Sequence, residues 1–407
     1  MVRSMQRAIL LQTEATKRKK EILNEFSNRA VSLANLLLQH RKSKRPMDLH
    51  KEMYSTCKAI SSFNSQVICD IERCVVRSKG KTIKAITVKF NVPRNCKTFN
   101  TKSRFFVELG LYPRKRVAVP IRENRNFQRY TDLIRSGWVC KTYGLTPGGQ
   151  VVAFLSKEQV VVVSKRNVVG VDVNSKCFAV SVLTPEGKVF KQLYYGKDIW
   201  IKRKRIMERR TKLQSLADKG SHRAKRSLKR LKVNEHNFVK NRVGEVVRDI
   251  TNLAVKYDAD IAIENLKRFT PKGKRFNREV LRIPFYAFRK NLESRCFDKN
   301  IKLTVVDAYH TSKWCSHCGA VVKSGHSSNY ALFKCGKCGQ TVNSDRKASL
   351  AVAVKSLLVR NEHTPDRDAF FQFTSGPVPV NALWRSDAVG SSFAVHELDH
   401  PMESHRL

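Results

Sequence analysis

The sequence predicts an α/β chain of several domains, on three observations. The hydrophobic period changes along the chain, from helical spacing to alternation and then to mixed runs. Three carboxylates, Asp172, Glu264 and Asp345, each stand where an apolar element ends or begins, in GVDVN (170–174), AIEN (262–265) and NSDRKAS (343–349). Two CxxC pairs, CSHC (315–318) and CGKC (335–338), lie between the second and third acid.

The N-terminal third reads as helical after a short strand. MQRAILLQ (5–12) suits a strand; Thr13 and Glu14 then open a helix that runs to about residue 40, with Ile22, Leu23, Phe26, Ala30, Leu33 and Leu37 at helical spacing. RKSKRP (41–46) breaks it. A second helix is expected over about 48–76, burying Met53, Cys57, Ile60, Phe63 and Val67. From about 81 the period becomes two. KTIKAITVKFNV, SRFFVELGL, RVAVPIR, GWVCKTYGL, QVVAFL and QVVVV read as strands of a small β-barrel, carrying basic and aromatic residues that suit phosphate contact and base stacking. Arg114, Lys115 and Arg116 are the nucleic-acid contacts expected there.

The second half is sharper. NVVGVDVN, CFAVSVLT and KVFKQLYY predict three meandering strands. Two basic helices follow, at about 198–218 and 221–257. They hold Lys202, Arg203, Lys204, Arg205, Arg209, Arg210, Arg223, Lys225, Arg226, Lys229 and Arg230, with only Glu208 and Asp218 against the charge run of 201–232. Next come the strand ADIAIEN (259–265), a basic loop (267–278), a helix at about 284–298, the strand IKLTVVDAY (301–309), the cysteine module (312–342) and a last helix from Asp345. Three meandering strands, helices, a strand, a helix, a strand and a helix is the layout of a ribonuclease-H-like fold. In that layout the first and fourth strands are neighbours, and an acid on the last helix packs across them.

The bulk numbers point the same way. The 407 residues carry a net charge of +45, from 79 Lys and Arg against 34 Asp and Glu. Such self-repulsion is relieved by a polyanion, and nucleic acid is the expected partner. No long apolar span or lipidation signal appears, so no membrane association is expected. The start of the chain turns polar too soon for a signal peptide. Of eleven cysteines, four are paired as CxxC and seven are scattered, which suggests a reducing compartment.

Three converging carboxylates repel one another unless cations neutralise them, and hard oxygen ligands suit Mg²⁺ or Mn²⁺. Two such ions about 3.5–4 Å apart would activate a water and stabilise the leaving oxygen of a phosphodiester. The expected chemistry is metal-dependent hydrolysis of a DNA strand, with Asp172, Glu264 and Asp345 as catalytic metal ligands. Cys315, Cys318, Cys335 and Cys338 match one tetrahedral, structural Zn²⁺. Asp307 is a candidate fourth acid but reads as a cap of the turn before Thr311; Asp258 and Asp260 read as structural.

GVDVN, IAIENL (261–266), TSKWCSHCG (311–319), FKCGKCG (333–339) and NSDRKASLAV (343–352) resemble the transposon-encoded TnpB family and its relatives, the compact type V CRISPR effectors. The resemblance covers about 167–358 and is only architectural before that. It implies an RNA-guided DNA endonuclease: a RuvC-like (ribonuclease-H-like) nuclease domain with an inserted four-Cys zinc ribbon, an N-terminal helical recognition lobe and a β-barrel wedge domain. The implied domains are 1–12 (first wedge strand), 13–80 (recognition lobe), 81–166 (wedge), 167–311 and 343–360 (nuclease) and 312–342 (zinc ribbon). Guide RNA and target double-stranded DNA would be the partners, and a short target-adjacent motif would be read by the N-terminal half. The location would be the prokaryotic cytoplasm, at the nucleoid. After its last Asp the family usually reads x-Asn-Ala-Ala-x-Asn; here Lys347, Ala348, Ser349 and Ala351 stand at those places. The tail, 361–407, differs in composition and is expected to be a poorly ordered extension.

Overall fold

The structure is a computed structural model, and it describes residues 2–41, 45–101, 103–160, 167–186, 188–266, 284–322 and 331–361. The basic loop read at 267–278 and nearly all of the tail lie outside these. The chain divides into two compact units, residues 1–161 and 162–407.

In the first unit, strand β1 (Val2–Leu11) precedes helix α1 (Lys17–Gln39), whose apolar stripe buries Leu23, Phe26, Ala30, Leu33 and Leu37 as the spacing predicts, while Ile22 is only half-buried. The single helix expected over 48–76 is instead two, α2 (Pro46–Ser61) and α3 (Ser65–Arg77). Ser62 takes a left-handed φ of 55°, and the Asn64 side chain caps α3 by accepting from the Val67 amide. Ile60, expected in the core, is therefore turned outward and is 59% exposed.

Among the described residues no closed barrel forms; two separate sheets take its place. Strands β2 (Val88–Asn91), β6 (Val139–Leu145) and β7 (Val151–Val160) join β1 in the antiparallel order β1-β7-β6-β2. Strands β3 (Cys96–Asn100), β4 (Phe105–Tyr112) and β5 (Lys115–Pro120) make the second sheet. An isolated antiparallel bridge, Thr13 to Ile121, lies just beyond β1 and β5. Alternation fixes which face of a strand is buried but not which edges pair, so strands were legible where closure was not. Helix α4 (Arg125–Arg135) went unread, because Tyr130 is its only buried residue; its signal was Asn124, whose side chain caps the helix by accepting from the amides of Asn126 and Phe127.

The second unit is built on a five-stranded sheet. Strands β8 (Asn167–Val173), β9 (Phe178–Leu183) and β10 (Val189–Tyr195) form an antiparallel meander, while β11 (Ala259–Glu264) and β12 (Leu303–Val306) add parallel to β8, giving the order β10-β9-β8-β11-β12. Helices α5 (Lys197–Asp218), α6 (His222–Lys256) and α7 (Phe285–Asp298) follow the expected bounds within a residue or so. A small hairpin, β13 (Leu332–Lys334) and β14 (Thr341–Asn343), precedes helix α8 (Ser344–Asn361).

Period two then sorts the sheet's residues between two cores. Val169, Val171, Val173, Ile261 and Ile263 pack with Val243, Val247 and Ile250 of α6 and Phe288 and Leu292 of α7. Val168, Leu183 and Ala262 pack with Leu350, Ala353 and Leu357 of α8 and with Trp314.

Candidate acid cluster and cysteine module

The same alternation aims the acids. Gly170 pairs with Ala262 across the parallel β8–β11 ladder. Asp172 and Glu264 lie two residues beyond that pair, so both project from the face that α8 covers. Helix α8 crosses β8 at Gly170, where an added Cβ would collide with the Ser349 carbonyl and the Ala353 backbone. Asp345, one turn before Ser349, is thereby carried to the end of β8 where Asp172 stands. Asn174 completes the link: its Nδ2 donates to Asp345 Oδ1 at 2.9 Å and to Asp172 Oδ2 at 3.4 Å. Its own Oδ1 accepts from the amides of Lys176 and Cys177, locking the side chain to the turn that follows β8. The Cys177 thiol donates to Asp345 Oδ2 at 3.6 Å.

Asn343 prepares the helix start, its Oδ1 accepting from the amides of Asp345 and Arg346. Asp345 sits in the first turn of α8, where the helix dipole favours negative charge.

The electrostatics are those of crowded acids. Burial, then the charges of Glu264 and Asp345, push the Asp172 carboxyl well above the usual carboxylate range. Burial also raises Glu264, opposed by the Thr311 hydroxyl and by the charges of Lys355 and Lys347. Asp345 is raised by burial as well. Two groups of His, Cys, Asp or Glu among the described residues bring three or more ligand atoms within 4.8 Å of one another: the four cysteines, and His50 with Cys69 and Glu72. Asp172, Glu264 and Asp345 are not among those groups. Asp307, the candidate fourth acid, accepts from the Tyr309 amide at 2.8 Å, as a turn cap does. Buried Asp260 pairs with Arg360 at 2.9 Å.

Cys315, Cys318, Cys335 and Cys338 converge, with Sγ–Sγ separations of 3.8 Å (315 to 338) and 3.7 Å (318 to 335). Each pair sits in the same backbone loop. The Gly319 amide donates to Cys315 O and the Gly339 amide to Cys335 O, both at 2.9 Å, and each glycine holds a positive φ, 71° and 72°. Four sulfurs in twin tight turns fit a tetrahedral Zn²⁺ and leave no open position. Lys323, His326 and Tyr330, between the two CxxC pairs, lie outside the described residues; Lys334 is exposed on β13.

Two buried lysines on α8 were missed by the sequence reading. Lys347 Nζ donates to the carbonyls of Thr311, Ser312 and Trp314 at 3.2, 2.8 and 3.1 Å, and lies 4.3 Å from the Phe333 ring centroid. Burial pulls its ammonium down to about 8, against the charges of Cys315, Asp172 and Glu264. Lys355 Nζ donates to the carbonyls of Asp307 and Tyr309. The pair staples α8 to the segment leading into the first CxxC. Lys347 stands where the family's Asn was expected, which was the available signal.

The predicted nucleic-acid contacts are mostly free to meet solvent. Arg114, Lys115 and Arg116 are exposed at the β4–β5 turn, and Arg116 also pairs with Glu108 at 3.2 Å. Lys202, Lys204, Arg205, Arg209 and Arg210 on α5, and Arg223, Lys225, Arg226, Lys229 and Arg230 on α6, are exposed. Arg203 is half-buried, and Glu235 of α6 takes both Arg203 and Arg210. Glu235 lay just beyond the run that was counted, so these two arginines tie α5 to α6. No helix among the described residues is long and apolar enough to cross a membrane.

Residues 285–352, which hold the four cysteines and Asp345, match the family model described as "Cas12f1-like, TNB domain". Comparison with curated proteins gives no match. Among solved structures, the cryo-EM structure of the Cas12f1–sgRNA–target DNA complex is similar at a TM-score of 0.58 and 15% identity, covering 83% of each chain. The mini-RNA-guided endonuclease CRISPR-Cas_phi3 is matched at TM-score 0.41 and 13% identity, over 65% of this chain and 58% of that one. CasPhi-2 (Cas12j) bound to crRNA and phosphorothioate-DNA is matched at TM-score 0.37 and 13% identity, over 61% and 58%. The first of these shares the α/β multidomain fold, without a closed barrel. The cysteine-bearing segment is thus similar to the Cas12f1-like TNB domain, and the fold is similar to that of the Cas12f1 chain over most of its length.

Proposed function

We propose that the chain is an RNA-guided DNA endonuclease with a RuvC-like nuclease centre. One observation carries this reading: Asp172, Glu264 and Asp345 project from neighbouring elements toward one place, and the Asn174 amide bridges two of them. Buried carboxylates, with Asp172 raised by the charges of the other two, fit divalent cations such as Mg²⁺ or Mn²⁺, which Asp172, Glu264 and Asp345 would hold. Bound there, the cations would activate water and stabilise the leaving oxygen of a phosphodiester. The chain's own share is positional. Asn174 and Cys177 hold Asp345, Gly170 admits the helix that carries it, and Lys347 and Lys355 fix that helix to the segment leading into the first CxxC. The four cysteines hold zinc as a structural clamp.

Guide RNA and target DNA are the partners this reading assigns, as in the Cas12f1–sgRNA–target DNA complex. The exposed cations of α5, α6 and the β4–β5 turn would neutralise phosphates. The N-terminal unit would read the short target-adjacent motif, and guide–target pairing would supply the rest of the specificity.

A second reading, RNA-guided binding without cutting, draws on Lys347, whose charge already offsets Asp172 and Glu264. All three of its hydrogen bonds go to carbonyls, however, which leaves the carboxylates to other cations. The test is to sequence RNA that copurifies and assay cutting of matching DNA in Mg²⁺, with Asp172→Ala as control. Metal-dependent cutting lost in that variant supports the proposal; full activity on unmatched DNA without RNA, or guided binding with no cutting, sinks it.

A further inference from the structure

The first unit holds a second convergence of metal-ligand side chains, between α2 and α3. His50 lies near the start of α2. Cys69 and Glu72 are three residues apart on α3, and so share one face of it. Ligand atoms of the three all lie within 4.8 Å of one another. His50 Nδ1 is 2.8 Å from Glu72 Oε2 and 3.8 Å from Cys69 Sγ.

An ion pair alone does not account for the carboxylate. Glu72 is 2% exposed and stands on a helix whose other buried side chains include Val67, Ile68, Ile71 and Val75. Its Oε1 is shut off from solvent and has no hydrogen-bond partner. An acceptor left unsatisfied in such a place is costly, and evolution normally removes it. His50 Nδ1 cannot serve it too, because one ring nitrogen carries at most one proton. A divalent cation satisfies the whole group at once. It takes the carboxylate, the imidazole nitrogen and the thiolate, and cancels the buried charge. The ring is already oriented: Tyr54 packs on His50 at 4.5 Å between centroids, and the Tyr54 hydroxyl meets Ser65 Oγ at 2.6 Å.

We propose that His50, Cys69 and Glu72 form a second metal site, for a zinc-type cation, that cross-links α2 to α3. The donor set of one nitrogen, one sulfur and one oxygen suits Zn²⁺ and disfavours Mg²⁺ or Ca²⁺. Three protein ligands leave a fourth position for water. The site spans the turn at Ser62 to Asn64, so metal affinity there is stability of the helix pair. It does not depend on the nuclease reading.

Elemental analysis of the full chain, expressed with zinc and desalted, tests it. Wild type should carry about two zinc per chain, and His50→Ala/Cys69→Ser should lose about one. Cys335→Ser/Cys338→Ser should lose the other independently. A zinc content unchanged by His50→Ala/Cys69→Ser overturns the proposal. Cobalt titration of chelator-stripped wild type guards against a variant that merely misfolds. A second Co²⁺ equivalent with a weaker thiolate-to-metal band than the first supports the site; saturation at one equivalent overturns it.

Discussion

Gly170 and Ala353 meet where β8 crosses α8: a Cβ on residue 170 would stand 2.6 Å from the Ala353 amide nitrogen and 2.8 Å from its Cβ. Backbone on both sides leaves little room to give. Gly170→Ala should destabilise the protein by about 1–3 kcal/mol and lower its melting temperature. Cutting should fall further than the lost stability explains, because the displaced helix carries Asp345. A variant that melts and cuts like wild type would show that α8 can ride higher without consequence.

Asn174 touches two of the three acids yet carries no charge. Asn174→Ala should leave the fold intact and lower the cutting rate by about tenfold to a hundredfold, as losing a group that orients metal ligands does. Much of that loss should return at high Mg²⁺. A rate insensitive to the substitution at limiting Mg²⁺ would remove Asn174 from the site.

The acids also predict a pH effect. Without metal, burial and mutual repulsion raise Asp172, and burial raises Glu264 and Asp345. Raised carboxyls bind protons more tightly in the folded chain than in the unfolded one. Their contribution to stability is therefore full below the ordinary carboxylate range and is lost as pH climbs from that range through their folded values. Mg²⁺ must displace those protons, so its stabilising effect should be larger at about pH 8 than at about pH 5.5, with protons released on binding. Calorimetry in buffers of different ionisation enthalpy measures the release, and zero release would contradict the shared-acid account.

Lys347 caps three carbonyls from inside the protein. Lys347→Met keeps most of the volume but strands those acceptors, and should cost at least about 2 kcal/mol in denaturant unfolding. A neutral result would mean that water replaces the ammonium.

Removing zinc should act on the cysteine module first. A strong chelator should release metal and expose Trp314, which is 1% exposed beside Cys315, giving a red-shifted emission. Zinc loss without any change at Trp314 would make the ion dispensable to this packing.

The acids and cysteines were legible because their chemistry demands particular residue types at element ends and at fixed spacing. The five strands and four helices around them were legible from period alone. What escaped depends on partners remote in sequence. Lys347 and Lys355 look like solvent-facing charges until the 307–314 segment supplies their acceptors. Arg203 and Arg210 look free until Glu235 arrives from the next helix. In the first unit, pairing edges decided between a barrel and two sheets, and Ser62 decided between one helix and two.

Helix α6 has one more consequence. Its 35 residues make a rod about 50 Å long. Arg223, Lys225, Arg226, Lys229 and Arg230 crowd its exposed first turns, while Val243 to Ala254 anchor its far end beneath the sheet. Only Tyr257 and Asp258 separate that end from β11, the strand that terminates in Glu264. The cationic tip and the carboxylate strand thus belong to one short, continuous run of chain.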